Sequence, residues 1–470
     1  MAVELQRIKY ARDQVQAGIV HLGVGAFHRA HQAVYWDTLL PEDPRWGVCG
    51  INLRAADRAG FEALQAQGGL YTLKTLAFDG ATEYRQVGAI VELIDASRDY
   101  GAAVARAADD HIQIISMTVT ESGYYLDEAD VLRTQAPDVA QGLAQQPTSC
   151  VYTYLHGAMR ARMAGNGRPI TLMSCDNLRE NGHKLRTGFL QYLKAAQDEA
   201  TRAWVEAHVS FPCSMVDRIT PRLDPAHARD VRERFGIEDQ VTIMAEPYIR
   251  WVIEDNFAGA RPPLDRAGAI ITRDVQAHEE AKIRVLNGGH TALAYLAALR
   301  GHRTFDRAMT DPELADFFMA YETEEVIPGL GESPIDLAAY RDEICARFSN
   351  ASIGDTVARI CSDGASKMPI FIRPTAEATA RRGLVPHHAI RIMASWYVFM
   401  RAVQRGGEID FAYVEPSWDT LVPLLAAGQE TTFATHELLW GDLPQLCPTF
   451  VECLVAEIAK QEQAYQLARQ

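Results

Sequence analysis

The chain lacks most of what would mark a secreted, membrane-bound or nucleic-acid-binding protein. Its eight cysteines are scattered through 470 residues with no Cys-x-x-Cys pair, which gives neither a disulfide framework nor a structural zinc site. Reduced thiols in a cytoplasm are the simplest expectation. No run of 18 or more apolar residues occurs, so no membrane partner is expected. The opening Met1-Ala-Val-Glu-Leu-Gln-Arg7 carries charge where a secretion signal needs an apolar stretch. Positive charge is scarce as well: 46 Lys and Arg against 61 Asp and Glu leave a formal charge of −15. A polyanion needs basic patches, so no nucleic-acid partner is expected, and a neutral small molecule fits without strain. Internal repeats, low-complexity segments and a coiled-coil seam are missing too.

What is present is length and pattern. At 470 residues, 48% hydrophobic and 23% charged, the chain suits a globular protein of two or three domains rather than one core. Ile19-Val-His-Leu-Gly23 forms a strand candidate, followed by Gly25, a helical pattern from Ala30 to Leu40, and a second strand, Trp46–Asn52. That is a βαβ unit, the opening of a dinucleotide-binding fold. Gly23 and Gly25 allow a tight turn and let a pyrophosphate approach backbone N–H groups at the helix start. His28 stands where the usual fingerprint has a third glycine. Asp57, just past the second strand, is placed to bond the adenosine ribose hydroxyls and repel a 2′-phosphate. Arg54 and Arg58 flank it, but the expectation is NAD rather than NADP.

Alternating strands between Tyr71 and Leu93 share Asp79-Gly80 as a turn signal. Two apolar strands end in polar residues: Ile112–Thr118 runs into Glu121, and Ile170–Ser174 into Cys175, Asp176 and Asn177. Ligands sit at such C-terminal strand edges; Asn177 is either a ligand donor or a turn former. Residues 211–221, 241–257 and 267–272 supply further strands, with Arg261-Pro262-Pro263 as a linker signal. From about residue 276 the pattern is helical. The fold class is therefore α/β: a Rossmann-type dinucleotide-binding domain over residues 1–275, then a mostly α-helical domain over residues 276–470.

The stretch that joins the two readings is Lys282-Ile-Arg-Val-Leu-Asn287-Gly-Gly-His290. Apolar Ile283, Leu286, Leu293 and Leu296 recur at helical spacing. At about 100° per residue, Asn287 lies about 140° round from Lys282 and His290 about 80°. An amine, an amide and an imidazole thus fan across less than half of an apolar helix. They form either a pocket for a small polar ligand or a solvated polar stripe.

The Lys-x-x-x-x-Asn-x-x-His pattern resembles the signature of the polyol-specific long-chain dehydrogenases, the mannitol 2-dehydrogenase and D-arabinitol 4-dehydrogenase group. Five more stretches resemble that family in the same order. They are Gly23-Val-Gly-Ala-Phe27-His-Arg29-Ala-His31, Thr118-Val-Thr-Glu121-Ser-Gly123-Tyr124, Ser174-Cys-Asp176-Asn177, Met215-Val-Asp217-Arg218-Ile-Thr-Pro221 and Asp363-Gly-Ala-Ser366-Lys367. The resemblance implies a zinc-independent oxidation of a sugar alcohol to a ketose with NAD, and no metal at His28 and His31. It implies cofactor contacts from Gly23, Gly25, Phe27, Arg29, Asp57, Thr118 and Glu121. Asn177 would donate to the substrate oxygen, and Arg359 and Lys367 would contact substrate. It also implies a monomer or weak homo-oligomer.

For the chemistry, Lys282 is the expected base. Its free pKa of about 10.4 is too high, and desolvation on an apolar helix would lower it. Asn177 and Asn287 would hold the developing oxyanion, with His290 and Arg359 on neighbouring hydroxyls. Glu279, one turn earlier, either relays protons or faces solvent. Gly288 and Gly289, where relatives carry Ala or Ser, suggest close approach of a ligand. Gly123-Tyr-Tyr-Leu126 and Gln67-Gly-Gly-Leu-Tyr71 look more like D-arabinitol 4-dehydrogenase than mannitol 2-dehydrogenase. Oxidation of D-arabinitol to D-xylulose is therefore expected, with mannitol oxidation or uronate reduction as alternatives. A non-catalytic NAD sensor is the reading from a different class.

Overall fold

The computed structural model describes residues 3–77, 80–221, 224–351 and 354–469. The chain divides into two compact units, one of residues up to Ala77 with Ala81–Gln276, the other from Ala277 onward.

The first unit is built on six parallel strands: β1 Ala17–Leu22, β2 Gly47–Asn52, β3 Ile90–Asp95, β4 Ile114–Met117, β5 Ile170–Ser174 and β6 Val209–Ser210. They lie side by side as β3-β2-β1-β4-β5-β6. Every residue of β1, β2, β4 and β5 is buried, which is why these strands are continuous apolar runs rather than alternating ones. The chain leaves β1 in one direction to form β2 and β3, then returns to β1's other side with β4. The point between β1 and β4 is where this order reverses, and ligands of such sheets bind there.

A four-stranded sheet (Leu5–Gln6, Thr82–Val87, Tyr71–Leu76, Ile243–Ala245) and a three-stranded one (Ser214–Asp217, Arg250–Glu254, Ile270–Thr272) complete the unit. Asp79 of the expected turn lies outside the described residues; the strands flanking it pair antiparallel, Leu76 opposite Thr82. The helix expected over Ala30–Leu40 is two pieces, Ala26–Ala30 and Gln32–Leu39, broken at His31 with φ −119° and ψ −90°. The break turns the His31 ring onto Phe27 and hydrogen-bonds its Nε2 to the Arg250 carbonyl at 2.9 Å.

The second unit, among its described residues, holds helices and one isolated bridge, Thr304 to Thr356. The helix Gly288–Leu299 is buried from Gly288 to Ala298 and packs on Pro312–Tyr321, Val357–Cys361 and His387–Arg405. Tyr295 locks one of these contacts by donating to the Cys361 carbonyl at 3.0 Å.

The segment before this helix departs from the regular α-helix read from spacing. Lys282–Asn287 is a π-helical turn, and the Gly288 N–H reaches back five residues to the Ile283 carbonyl. With bonds of that span Asn287 lies close to one turn beyond Lys282, so the 100° arithmetic does not hold there. Two more π turns, Glu322–Val326 and Met368–Ile372, pack against it.

The paired glycines serve this packing. A Cβ on Gly289 would sit 2.6 Å from Phe318 Cε2 and 3.1 Å from Glu322 Oε1; one on Gly288 would sit 3.2 Å from the Phe371 carbonyl oxygen.

Candidate active site

In the first unit Gly23, Gly25 and Thr118 gather at the β1/β4 edge. Gly23 has φ +91°, and a Cβ there would lie 2.4 Å from the Thr118 carbonyl oxygen. Thr118 Oγ1 in turn donates to the Gly23 carbonyl at 2.8 Å. The two turns are thus tied together in a conformation that L side chains rarely adopt. Gly25 caps the helix Ala26–Ala30, and a Cβ there would meet nothing within 4 Å. Space beside a glycine at the start of the first crossover is what a pyrophosphate needs, so these residues fit a dinucleotide.

The third fingerprint glycine normally lets helix and strand approach. Here His28 solves that contact differently, lying flat on His21 of β1 with ring centroids 3.4 Å apart and planes 17° from parallel. His21 is held by Ser116 Oγ at 2.8 Å and Thr118 Oγ1 at 3.0 Å. Burial pushes the His21 pKa down to about 3 and His28 well below the ordinary histidine value, with His21 adding to the latter shift. Both rings are neutral packing elements. Arg29, expected at a phosphate, is turned into the fold: its guanidinium is buried, donates to the Val241 carbonyl at 2.5 Å and lies 5.3 Å from the Tyr71 ring. Phe27 is half-buried against His31.

Asp57 is exposed past β2, with Arg54 Nε at 3.8 Å. Arg58 is drawn away from it by Asp95 at 3.3 Å and Ser97 Oγ at 2.8 Å.

Asn177 lies exposed in a bend beyond β5, which pairs with β4, the strand that ends just before Thr118. Its neighbour Asp176, which sequence reading left without a role, organises this edge. The buried Asp176 carboxylate accepts the Thr120 N–H at 2.8 Å, the Val119 N–H at 3.2 Å and the Tyr124 hydroxyl at 2.7 Å. Burial raises its pKa, and these hydrogen bonds work against that rise. They also hold Thr120 at φ 66°, ψ 165°, a conformation that costs a β-branched residue about 1–3 kcal/mol. Glu121 follows in an exposed turn.

In the second unit Lys282 is 9% exposed, Glu279 is buried and Asn287 is half-buried. Thr291 Oγ1 donates to the Asn287 carbonyl at 2.9 Å, which satisfies one backbone group at the end of the π turn. His290 stacks on Phe348 at 3.9 Å with Phe305 edge-on at 4.8 Å. Its Nε2 meets Asp355 Oδ2 at 3.3 Å.

Asp355 also takes Arg359 at 2.7 Å, so it joins two residues singled out from the sequence. Its own signal was only the four-residue spacing to Arg359. Burial raises the Asp355 pKa, but His290 and Arg359 outweigh it and hold the carboxyl below its ordinary value. Burial lowers the His290 pKa, opposed by Asp355. Lys367 is half-buried and donates to the Ile360 carbonyl at 2.8 Å; burial lowers its pKa.

Comparison with known proteins matches residues 17–266 to the mannitol dehydrogenase Rossmann domain and residues 274–463 to the mannitol dehydrogenase C-terminal domain. The chain belongs to the mannitol dehydrogenase family. Among relatives in this family, D-arabinitol 4-dehydrogenase of Ralstonia nicotianae is 38% identical over 90% of this chain and 92% of its own length. Mannitol 2-dehydrogenase of Cereibacter sphaeroides is 38% identical over 95% and 94%. Among solved structures, Pseudomonas fluorescens mannitol 2-dehydrogenase in ternary complex with NAD and D-mannitol superposes with TM-score 0.83 at 34% identity, covering 99% of this chain and 96% of that one. A substrate-free D-sorbitol dehydrogenase gives TM-score 0.91 at 33% identity, covering 99% and 97%.

Proposed function

We propose that this member of the mannitol dehydrogenase family is an NAD-dependent polyol dehydrogenase that oxidises a secondary alcohol to a ketone, with Lys282 as the general base and no metal in the reaction. The observation that carries this reading is the π turn, which opens on a buried lysine and closes on Asn287. Helix distortions of this kind concentrate at functional sites, and a sensor that only bound NAD would have no use for one built around an amine.

When bound, NAD supplies the hydride acceptor. Gly23, Gly25, Thr118 and Asp57 would hold it, Asp57 through the ribose hydroxyls. The Lys282 amine takes the hydroxyl proton of the carbinol as the carbon loses its hydride. Asn177 and Asn287 donate to the oxygen while its charge develops. Neutral amides suit this task, because they bind an alkoxide without competing for its proton. His290, neutral through burial, and Arg359 hold neighbouring hydroxyls, with Asp355 fixing both; Lys367 supports the same loop through Ile360.

D-Arabinitol, oxidised to D-xylulose, is our substrate assignment. It rests on the resemblance of Gly123–Leu126, where Tyr124 supports Asp176 beside Asn177. The Gln67–Tyr71 segment gives less support, since Gln67 bonds Asp239 and Tyr71 bonds the Arg29 carbonyl inside the fold. Mannitol oxidation is the second reading, favoured by the relative from C. sphaeroides.

A panel of polyols with NAD, followed by NADH absorbance, tests the assignment: D-arabinitol should show the highest kcat/KM. A general base contributes about 10²–10⁴-fold, so Lys282→Ala should lower kcat by at least about 100-fold while NAD still binds. Near-normal turnover in that variant would remove the lysine from its role.

A further inference from the structure

Three potential metal ligands far apart in sequence converge in the first unit. His183 lies in the first turn of the helix Asn181–Ala195, Cys213 directly precedes the strand Ser214–Asp217, and Glu254 ends the strand Arg250–Glu254. One ligand atom from each lies within 4.8 Å of the other two.

The backbone holds this arrangement. Ser214 pairs with Ile253, which sets Cys213 opposite Glu254. The Glu254 N–H donates to the Cys213 carbonyl at 2.9 Å, and the Cys213 N–H donates to Glu254 Oε2 at 2.9 Å. On the helix side, Asn181 Nδ2 donates to the Ser214 carbonyl at 2.7 Å, and its Oδ1 accepts the Ser214 N–H at 2.9 Å. Gly182 closes the gap further, since a Cβ there would lie 2.5 Å from the Phe211 and Pro212 carbonyl oxygens. His183 is therefore delivered against Cys213 by a helix start that cannot slide.

We propose that His183, Cys213 and Glu254 form a binding site for a borderline divalent cation of the zinc type, separate from the proposed chemistry. Zinc binds thiolate at about 2.3 Å and imidazole or carboxylate at about 2.0–2.2 Å, so tetrahedral ligands stand roughly 3.3–3.7 Å apart. The remaining distance closes by rotating His183, whose side chain is 63% exposed and whose ion-pair partner Glu180 lies at 3.9 Å. The thiolate selects zinc or cobalt over magnesium and calcium. Three protein ligands leave the fourth position to water, and binding releases the Cys213 proton. Because Asn181 also donates to the Asp176 carbonyl at 2.9 Å, an ion here stiffens the loop that carries Asn177.

The test is cobalt(II) titration of the full chain after EDTA treatment and dialysis. We expect one cobalt per chain with a thiolate charge-transfer band, displaced by zinc, and a Tm raised by about 2–6 °C at saturation. Cys213→Ser abolishes the band. His183→Ala, at an exposed position that the fold does not need, weakens cobalt binding at least about tenfold. Absence of the band, or cobalt affinity unchanged in His183→Ala, overturns the site. Neither result depends on turnover.

Discussion

Replacing Gly289 by alanine separates two accounts of the glycine pair. If the glycines let a ligand approach, the variant should lose affinity and keep its stability. The structure says the reverse. The new methyl carbon would stand 2.6 Å from Phe318 Cε2, a ring edge in a fully buried residue, and 3.1 Å from the fully buried Glu322 carboxyl. Burial raises the Glu322 pKa well above its ordinary value, with Arg284 and Arg341 opposing the rise.

Overpacking of this kind costs about 1–3 kcal/mol, and alanine's better helix propensity returns about 1 kcal/mol. The net loss is about 1 kcal/mol, which in a unit of this size lowers Tm by about 2–4 °C. Differential scanning fluorimetry reads it directly. Phe318→Leu removes the ring edge, so the double variant should be less destabilised than the sum of the singles by about 1 kcal/mol. A Gly289→Ala protein that melts at or above the parent, or one with unchanged Tm and a raised KM, refutes the packing argument.

Three more outcomes follow from the same geometry. Asp355→Asn removes the charge that holds both His290 and Arg359; a hydrogen bond to a charged group is worth about 1.5–3 kcal/mol, so kcat/KM for the polyol should fall about 10–100-fold with NAD affinity intact, as steady-state kinetics and cofactor titration would show. His21 has a folded pKa of about 3, below its unfolded value of about 6.5, so its contribution is fully present above pH 6.5 and is lost as pH falls toward 3. Between pH 6 and 4 that amounts to about 2–3 kcal/mol; His28→Phe keeps the stack and removes one titrating ring, so its Tm should fall less steeply with acid, and parallel slopes would contradict the neutral pair. Asp57→Ser should raise the NADP-to-NAD ratio of kcat/KM at least about tenfold, whereas an unchanged ratio would take Asp57 off the ribose.

Much of this was legible in the sequence because buried parallel strands and a glycine turn leave local marks. Ile19–Gly23, Gly25 and Ile170–Ser174 announced themselves through apolar runs and punctuation. The helical second half showed in its periodicity. What stayed hidden depends on partners distant along the chain. Arg29 turns inward because Val241 offers a carbonyl, and nothing near residue 29 says so. Asp176 showed only as a polar residue at a strand's end, because its partners Thr120 and Tyr124 lie more than fifty positions earlier. The π turn was invisible to spacing because moving a hydrogen bond from four residues to five changes no residue type.

That turn has an evolutionary consequence. A π turn amounts to one residue inserted into an α-helix, so, on the role proposed for Lys282, a one-residue deletion is as short a path to an inactive relative as a substitution of the lysine. Removing Ile283 would heal the helix into a regular one and swing Lys282, relative to everything after it, by roughly 100°. The chain would keep its hydrophobic core and its helix propensity, and a profile of conserved residues would still recognise it. Gain and loss of activity in such lineages should therefore be sought in single-codon indels between positions 282 and 287.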